Sequence, residues 1–405
     1  MKLANKVRLA PDRKQNMDLF RFAGTNRFAW NQSKDFYDKF WEKKHEYAKL
    51  SDLMKNLQDM KHNNPDYAWL NDVPEAVTKQ AMKDLLKAYS KFYKERKKHP
   101  DPKNPDRFKP KFKKKGKCQE SFYQRTDNIR KTDDTHIKIT GIKKPIKCSQ
   151  LKGVDLPEHI LNPRIMYDGK YWYLSYSFDV DEDDVVSEED FRERLGIDLG
   201  IKDLAILSDG QHFENINKTP EMRRLRKRLK HIQKQISRKN EANVTVGRNG
   251  KKVYHKTNNI RKFEQQERLL YRRISSIQKT YMYEVIGAVL KTKARSIVLE
   301  DLNVKGMMQN PHLARAVQEQ NLYKFRQILT YKCQKNGIRL FLADRWYPSS
   351  KTCSCCGHVK KDLKLHDRTY VCENCGNIMD RDENAAKCLE LCPDEWMTEV
   401  DFNAA

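Results

Sequence analysis

Two cysteine pairs, Cys353-x2-Cys356 and Cys372-x2-Cys375, stand fifteen residues apart near the end of a 405-residue chain. No other feature restricts local folding as tightly. A segment this short cannot bury a core of its own, but two such knuckles can wrap one tetrahedral ion through four thiolates. We therefore expect one structural Zn²⁺ held by Cys353, Cys356, Cys372 and Cys375. A closed four-thiolate shell holds shape and performs no catalysis. Cys355 and His358 are surplus by position. Disulfides are the alternative, yet five of the ten cysteines crowd between Cys353 and Cys375, a metal-site distribution suited to a reducing compartment.

The second knuckle runs directly into acids and a helix, in "CENCGNIMDRDENAAKCLEL" (Cys372 to Leu391). Two further acids sit in apolar surroundings: Asp198 in "GIDLG" and Glu300 at the end of "SIVLE". A buried carboxylate is costly unless a cation compensates it. Mg²⁺ takes oxygen ligands, and two such ions about 4 Å apart can clamp the attacking and leaving oxygens of a phosphodiester. Three convergent carboxylates would suffice to hold them. Spacing alone does not choose between Asp380, Asp382 and Glu383 for the third. G-x-S-x-G, G-x-x-x-x-G-K-[ST] and H-E-x-x-H are all missing from the sequence, which argues against hydrolase triads, P-loop ATPases and zincins.

The charge balance, 81 Lys+Arg against 55 Asp+Glu for a net +26, is that of a polyanion binder, with nucleic acid the expected partner. No apolar run approaches a membrane span, and the first residues lack the apolar core of a signal peptide, so a cytoplasmic protein with no membrane partner is expected. After a short strand (residues 2 to 10), helical spacing holds from about Lys14 to Lys98. "HPDPKNPDRFKPKFKKKGK" follows, basic with interleaved aromatics, where Lys111, Lys113 and Lys114 are candidate nucleic-acid contacts. From Ser121 to Asp184 the period is two, including a hairpin turned at Asp168-Gly169. We expect a small β-barrel there, completed by the N-terminal strand. The acidic stretch Asp179 to Glu193 is expected to be a solvated linker.

The second half orders as strand, strand, two long basic helices, strand, helix, strand, small insert, helix, an α/β layer arrangement. Met222, Leu225, Leu229, Ile232 and Ile236 form an apolar seam facing Leu270, Ile274, Ile277 and Tyr281 in a helical hairpin. The outer face of its first helix carries nine Lys/Arg between Glu221 and Asn240. Among them Arg223, Arg224 and Lys227 are candidate phosphate contacts.

"GIDLGIKDLAILSDG", "SIVLEDLNVKGM", "YPSSKTCSCCGH", "CENCG" and "DRDENAA", in this order, resemble TnpB, the transposon-encoded RNA-guided nuclease family related to compact type V CRISPR effectors. The match is dense from Arg194 to Cys392 and looser before it. The resemblance implies an α/β multidomain protein. An RNase H-like RuvC domain (191–344 and 377–393, with helical hairpin 220–292) would be interrupted by a zinc-ribbon target-nucleic-acid-binding insert (345–376). A β-barrel wedge domain (1–13 and 108–184) would contain a helical recognition domain (14–107), and 394–405 would be a C-terminal tail. It places the catalytic, Mg²⁺-binding triad on Asp198, Glu300 and Asp382, and the zinc on the four cysteines.

The implied activity is cleavage of double-stranded target DNA by a Mg²⁺-dependent monomer carrying a guide RNA, after recognition of a short flanking motif. In a prokaryotic cell the protein would lie in the cytoplasm, with the nucleoid when bound to DNA. Lys79 and Gln80, in "TKQAMKD", are candidate motif readers, since Gln can discriminate base edges. Relatives often have Arg-x-Asp-x-x-His where this chain has Gln278, Thr280 and Tyr283, and Asn where it has Cys388. Two rival functions are a guided binder that represses transcription without cutting and an RNase H-like transposase; an intact triad speaks against the first.

Overall fold

The computed structural model describes residues 2–101, 104–153, 156–157, 159–179, 192–247, 250, 252–364 and 367–401, so most of the acidic stretch 179–193 lies outside the described residues. The chain divides into two units, Met1–Asp181 and Glu182–Ala405.

The first unit orders as β1 (Lys2–Leu9), α1 (Arg13–Lys44), α2 (Leu50–Asn63), α3 (Glu75–Lys98), β2 (Ser121–Tyr123), β3 (Ile129–Asp133), β4 (His136–Ile139), β5 (Ile146–Lys147), β6 (Leu161–Tyr167) and β7 (Trp172–Asp179). Asp12 starts α1 with a reciprocal capping box to Gln15, which fixes where the strand gives way to the helix. The expected β6–β7 hairpin forms, with Gly169 at φ 98° in its turn. Trp30, Tyr37, Leu53, Leu85 and Tyr89 join the three helices in one core.

The expected β-barrel is not there. The strands form an open four-stranded antiparallel sheet, ordered β1-β7-β6-β2, and a separate three-stranded sheet, β3-β4-β5. Among the described residues, Ala10–Lys147 is the isolated β-bridge between them. A sheet closes on itself when its apolar face has nothing else to cover it. Here Leu19, Phe22 and Ala23 of α1 pack into one core with Val7, Phe122, Ile137, Ile165 and Trp172 of the two sheets, so the helix supplies the cover.

The second unit contains β8 (Arg192–Leu199), β9 (Asp203–Leu207), β10 (His212–Glu214), α4 (Pro220–Ala242), β11 (Val244–Val246), β12 (Lys252–Tyr254) and α5 (Asn258–Lys291). Then follow β13 (Ala294–Glu300), α6 (Val304–Met307), α7 (Pro311–Gln320), α8 (Leu322–Lys335), β14 (Arg339–Ala343), β15 (Thr369–Val371), β16 (Ile378–Asp380), α9 (Arg381–Glu390) and β17 (Met397–Glu399). Six strands make a mixed sheet in the order β10-β9-β8-β13-β14-β17, in which β8, β13 and β14 run parallel. This sheet resembles an RNase H-like core. No helix among the described residues is long and apolar enough to cross a membrane.

Strand alternation decides which residues meet which helices. Leu195, Ile197, Leu199, Ile297 and Leu299 share a core with Val285 and Ile286 of α5 and Phe325 and Leu329 of α8. The intervening residues of β8 and β13, Gly196, Asp198, Val298 and Glu300, therefore face the other way, where Val298 packs with Leu389 and Cys392 at the end of α9. Gly196 lets α9 come that close: a Cβ there would stand 2.0 Å from the Ala386 carbonyl oxygen.

Candidate active site and metal centre

Asp198 and Glu300 project from the α9 side of the sheet near the ends of two neighbouring parallel strands. Ile197 pairs with Leu299, so the next step along the register sets the two acids side by side. Asp382 comes from the first turn of α9, on the same side. All three are half-buried. Burial pushes the Asp198 carboxyl up from its ordinary 3.8 to about 7, and the charges of Glu300 and Asp382 push the same way. Burial, then Asp301, raises Glu300 as well.

The three acids after the second knuckle differ in their contacts. Asp380 is the N-cap of α9; its Oδ1 accepts from the backbone N–H of Asp382 at 2.8 Å and of Glu383 at 3.2 Å. Glu383 pairs with Lys387 one turn on, at 3.0 Å. Asp382 is left with a looser partner, the Arg368 guanidinium at 3.7 Å.

An ionised Asp198 is a burden on the fold without a cation. The native state binds a proton between about pH 4 and 7 that the unfolded chain does not, so stability falls as pH rises through that window. Asp198→Asn removes the burden. In thermal melts without Mg²⁺ at pH 8 the variant should be more stable than the native chain by about 2 kcal/mol, roughly half what the full shift implies because the carboxyl keeps partial access to water. At pH 5 the gain should be less than half as large. An equal gain at both pH values would mean that packing rather than charge is responsible.

The four cysteines converge, with their sulfur atoms all within 4.8 Å of one another. Cys353 and Cys375 stand 3.6 Å apart, as do Cys356 and Cys372. Tetrahedral zinc with arms of about 2.3 Å places its ligands roughly 3.8 Å apart. The Asn374 amide pulls the Cys356 thiol down to about 6. At Cys375 the Asn377 backbone N–H also pulls down, but the neighbouring sulfurs outweigh it and push the thiol up to about 12. Four thiolates cannot crowd together without a cation, and a soft divalent ion fits this donor set. Cys355 and His358 stand outside the group.

This centre is tied to the acids. Asn384 of α9 is fully buried; its amide donates to the Thr352 carbonyl at 2.6 Å and accepts from the Ser354 N–H at 3.0 Å, gripping the first knuckle on both sides. Cys388 adds a thiol donated to the same Thr352 carbonyl at 3.1 Å. The second knuckle continues through β16 into Asp380 and α9. Sequence reading missed Asn384, although it lies within the quoted "DRDENAA"; a polar residue on the apolar stripe of a short helix was the available signal.

The candidate nucleic-acid contacts divide. Arg223, Arg224 and Lys227 are exposed on α4. Lys111 and Lys114 are exposed too, but the backbone around them is held down: Trp30 Nε1 donates to the Lys111 carbonyl at 3.1 Å, and Asn31 exchanges two hydrogen bonds with Lys113. The Lys113 ammonium lies 3.6 Å from the Trp30 ring centre and is partly withdrawn from solvent. On α3, Lys79 reaches Glu75 at 3.8 Å. Gln80 donates to Asp84, which Arg164 grips through two nitrogens at 2.9 and 3.0 Å. Gln278 bonds Asn217 and the Glu319 carbonyl, fastening α5 to the segments before α4 and at the end of α7.

A family model described as "Cas12f1-like, TNB domain" matches residues 323–389, which span α8, β14, the cysteine knuckles and most of α9. Another, described as "Helix-turn-helix domain", matches residues 1–46, where this chain builds β1 and the single helix α1. A putative RNA-guided DNA endonuclease of Streptomyces pristinaespiralis is 28% identical over 390 residues, covering 96% of this chain and 88% of that one. InsQ of Escherichia coli (strain K12), also described as a putative RNA-guided DNA endonuclease, is 27% identical, covering 95% and 90%. The chain belongs to the TnpB/Cas12f-like family. Within the family, the CRISPR-associated endodeoxyribonuclease Cas12f1 of Sulfoacidibacillus thermotolerans is 24% identical over 277 residues, 65% of this chain and 60% of that one. A solved Cas12f1–sgRNA–target DNA complex aligns over 96% of this chain and 99% of its own at 15% identity, with a TM-score of 0.35, too low to bear on the fold.

Proposed function

We propose that the chain is an RNA-guided DNA endonuclease that hydrolyses target DNA at a single site formed by Asp198, Glu300 and Asp382. One observation carries the reading: three half-buried acids from β8, β13 and α9 face the same side of one sheet, and burial, then the charges of Glu300 and Asp382, raises the Asp198 carboxyl. Such a cluster disfavours its own ionisation unless a cation is bound, and an all-carboxylate donor set fits Mg²⁺. Two Mg²⁺ ions bound there would supply an activated water and stabilise the leaving oxygen. The residues' own part is to hold the oxygen ligands on rigid strand ends and a capped helix, with Asp380 fixing the first turn that carries Asp382. The cysteine centre holds one structural zinc. The curated relatives matched over almost the whole chain are each described as a "putative RNA-guided DNA endonuclease", and the strongly basic composition suits guide RNA and double-stranded DNA as partners.

Lys79, Gln80, Lys111, Lys113, Lys114, Arg223, Arg224 and Lys227 are proposed nucleic-acid contacts. Gln80, steadied by Asp84 and Arg164, suits the reading of a base edge near the target. The deciding experiment purifies the full chain with its bound RNA, sequences that RNA, and offers DNA matching its variable end. Cleaved ends that require Mg²⁺ and the RNA support the reading. Protein without RNA, or joined strand products, would favour a transposase instead.

A further inference from the structure

We propose that Trp346 is a stacking platform for an unpaired nucleobase of the strand being cut. It is 80% exposed, the highest value among the large apolar side chains of the described residues. Its position gives that exposure meaning. Glu300 pairs with Ala343, so Asp198, Glu300 and Ala343 form a row across three parallel strands. Neighbouring strands lie about 4.8 Å apart, and three further residues reach at most about 10 Å. The Trp346 backbone therefore lies within roughly 15 Å of Glu300.

The loop that carries the indole is fixed on both sides. Asp344 donates its N–H to the Trp396 carbonyl at 2.8 Å, and its carboxylate accepts from the Trp346 N–H at 2.8 Å. Arg345 reaches Asp301, the neighbour of Glu300, at 2.8 Å, and Asp301 is also held by Arg326 at 3.1 Å. On the other side the Tyr347 hydroxyl donates to the Cys388 carbonyl of α9 at 3.2 Å. With the backbone already fixed, an aromatic side chain open to water has only its two side-chain torsions to lose when a flat partner covers it.

The partner is identified by chemistry. Indole has no charge to offer a phosphate, but it stacks well on a base, and in a duplex both faces of each base are already covered. An unstacked base close to the cut is the occupant that fits, and the exposed Arg345 beside it suits a phosphate backbone. The inference rests on the nuclease reading given above.

The test uses RNA-loaded full-length protein, compared as native chain, Trp346→Ala and Trp346→Phe. The substrates are an intact target and a series with one abasic nucleotide moved through the positions flanking the cut. Trp346→Ala should lower kcat/KM by about 5- to 100-fold, with an unchanged melting temperature, and Trp346→Phe should restore most of it. One abasic position should slow the native protein by the same factor and leave Trp346→Ala unaffected. Native-like cleavage by Trp346→Ala, or abasic effects equal in both proteins at every position, would overturn the inference. If the native protein itself makes no guided cut, the nuclease reading fails, and the inference with it.

Discussion

Asp198→Ala should reduce target cleavage by roughly 10³-fold or more while RNA-guided binding of the same DNA persists. The magnitude follows from losing a ligand that supports several kcal/mol of charge stabilisation at the reacting phosphate. Binding should survive because the proposed contacts on α4, Arg223, Arg224 and Lys227, are exposed and lie on a separate element. Folding should survive too, since the substitution removes a carboxyl whose ionisation the fold opposes. Asp380→Asn is the contrast. Asparagine caps a helix as well as aspartate does, so cleavage should stay within a few-fold of native. Gel-based cleavage and filter-binding assays on the same preparations separate the outcomes. A folded Asp198→Ala protein that neither cuts nor binds would count against the metal-ligand role, and a dead Asp380→Asn would give that residue a part beyond capping.

Cys372→Ser, or removal of zinc by a chelator, should abolish cleavage by a different route. Structural zinc contributes apparent binding energy of about 10 kcal/mol or more to small domains of this kind, so losing it should unfold the ribbon. Thr352 and Ser354 would then no longer hold Asn384, and the start of α9 would lose the β15–β16 pairing that leads into it. Asp382 would lose its fixed position, which added Mg²⁺ cannot restore. Metal analysis should fall from one zinc per chain to none, and amide exchange should accelerate across residues 352–384. The sheet core around Leu195, Ile297 and Phe325 should stay protected. A zinc-free protein that cuts at the native rate would refute this coupling.

Much of the candidate site was legible because its residues sit where simple periodicities act. The alternation of β8 and β13 puts every second residue on one face, so an acid between isoleucine and leucine in "GIDLG" was readable as a strand acid pointing away from its apolar neighbours. The cysteine spacing was readable because a knuckle is a local object. The barrel was misjudged because closure is not local: alternation says that a strand has an apolar face, not what covers it. Here α1 covers that face with Leu19, Phe22 and Ala23, and the strands remain two open sheets. Asn384 was missed for the same reason, since its partners Thr352 and Ser354 lie thirty or more residues away in sequence.

By itself the sequence determined what each short stretch must do: four thiols that need a cation, acids that end apolar strands, a basic surface without a membrane span. The cap that Asp380 gives α9 is local, but that Asp382 shares a face with Asp198 and Glu300, and that one tryptophan stands exposed beyond the row of strand ends, were decided only by the tertiary structure. Those choices depend on hydrogen bonds and burial between segments far apart in the chain. No local pattern encodes them.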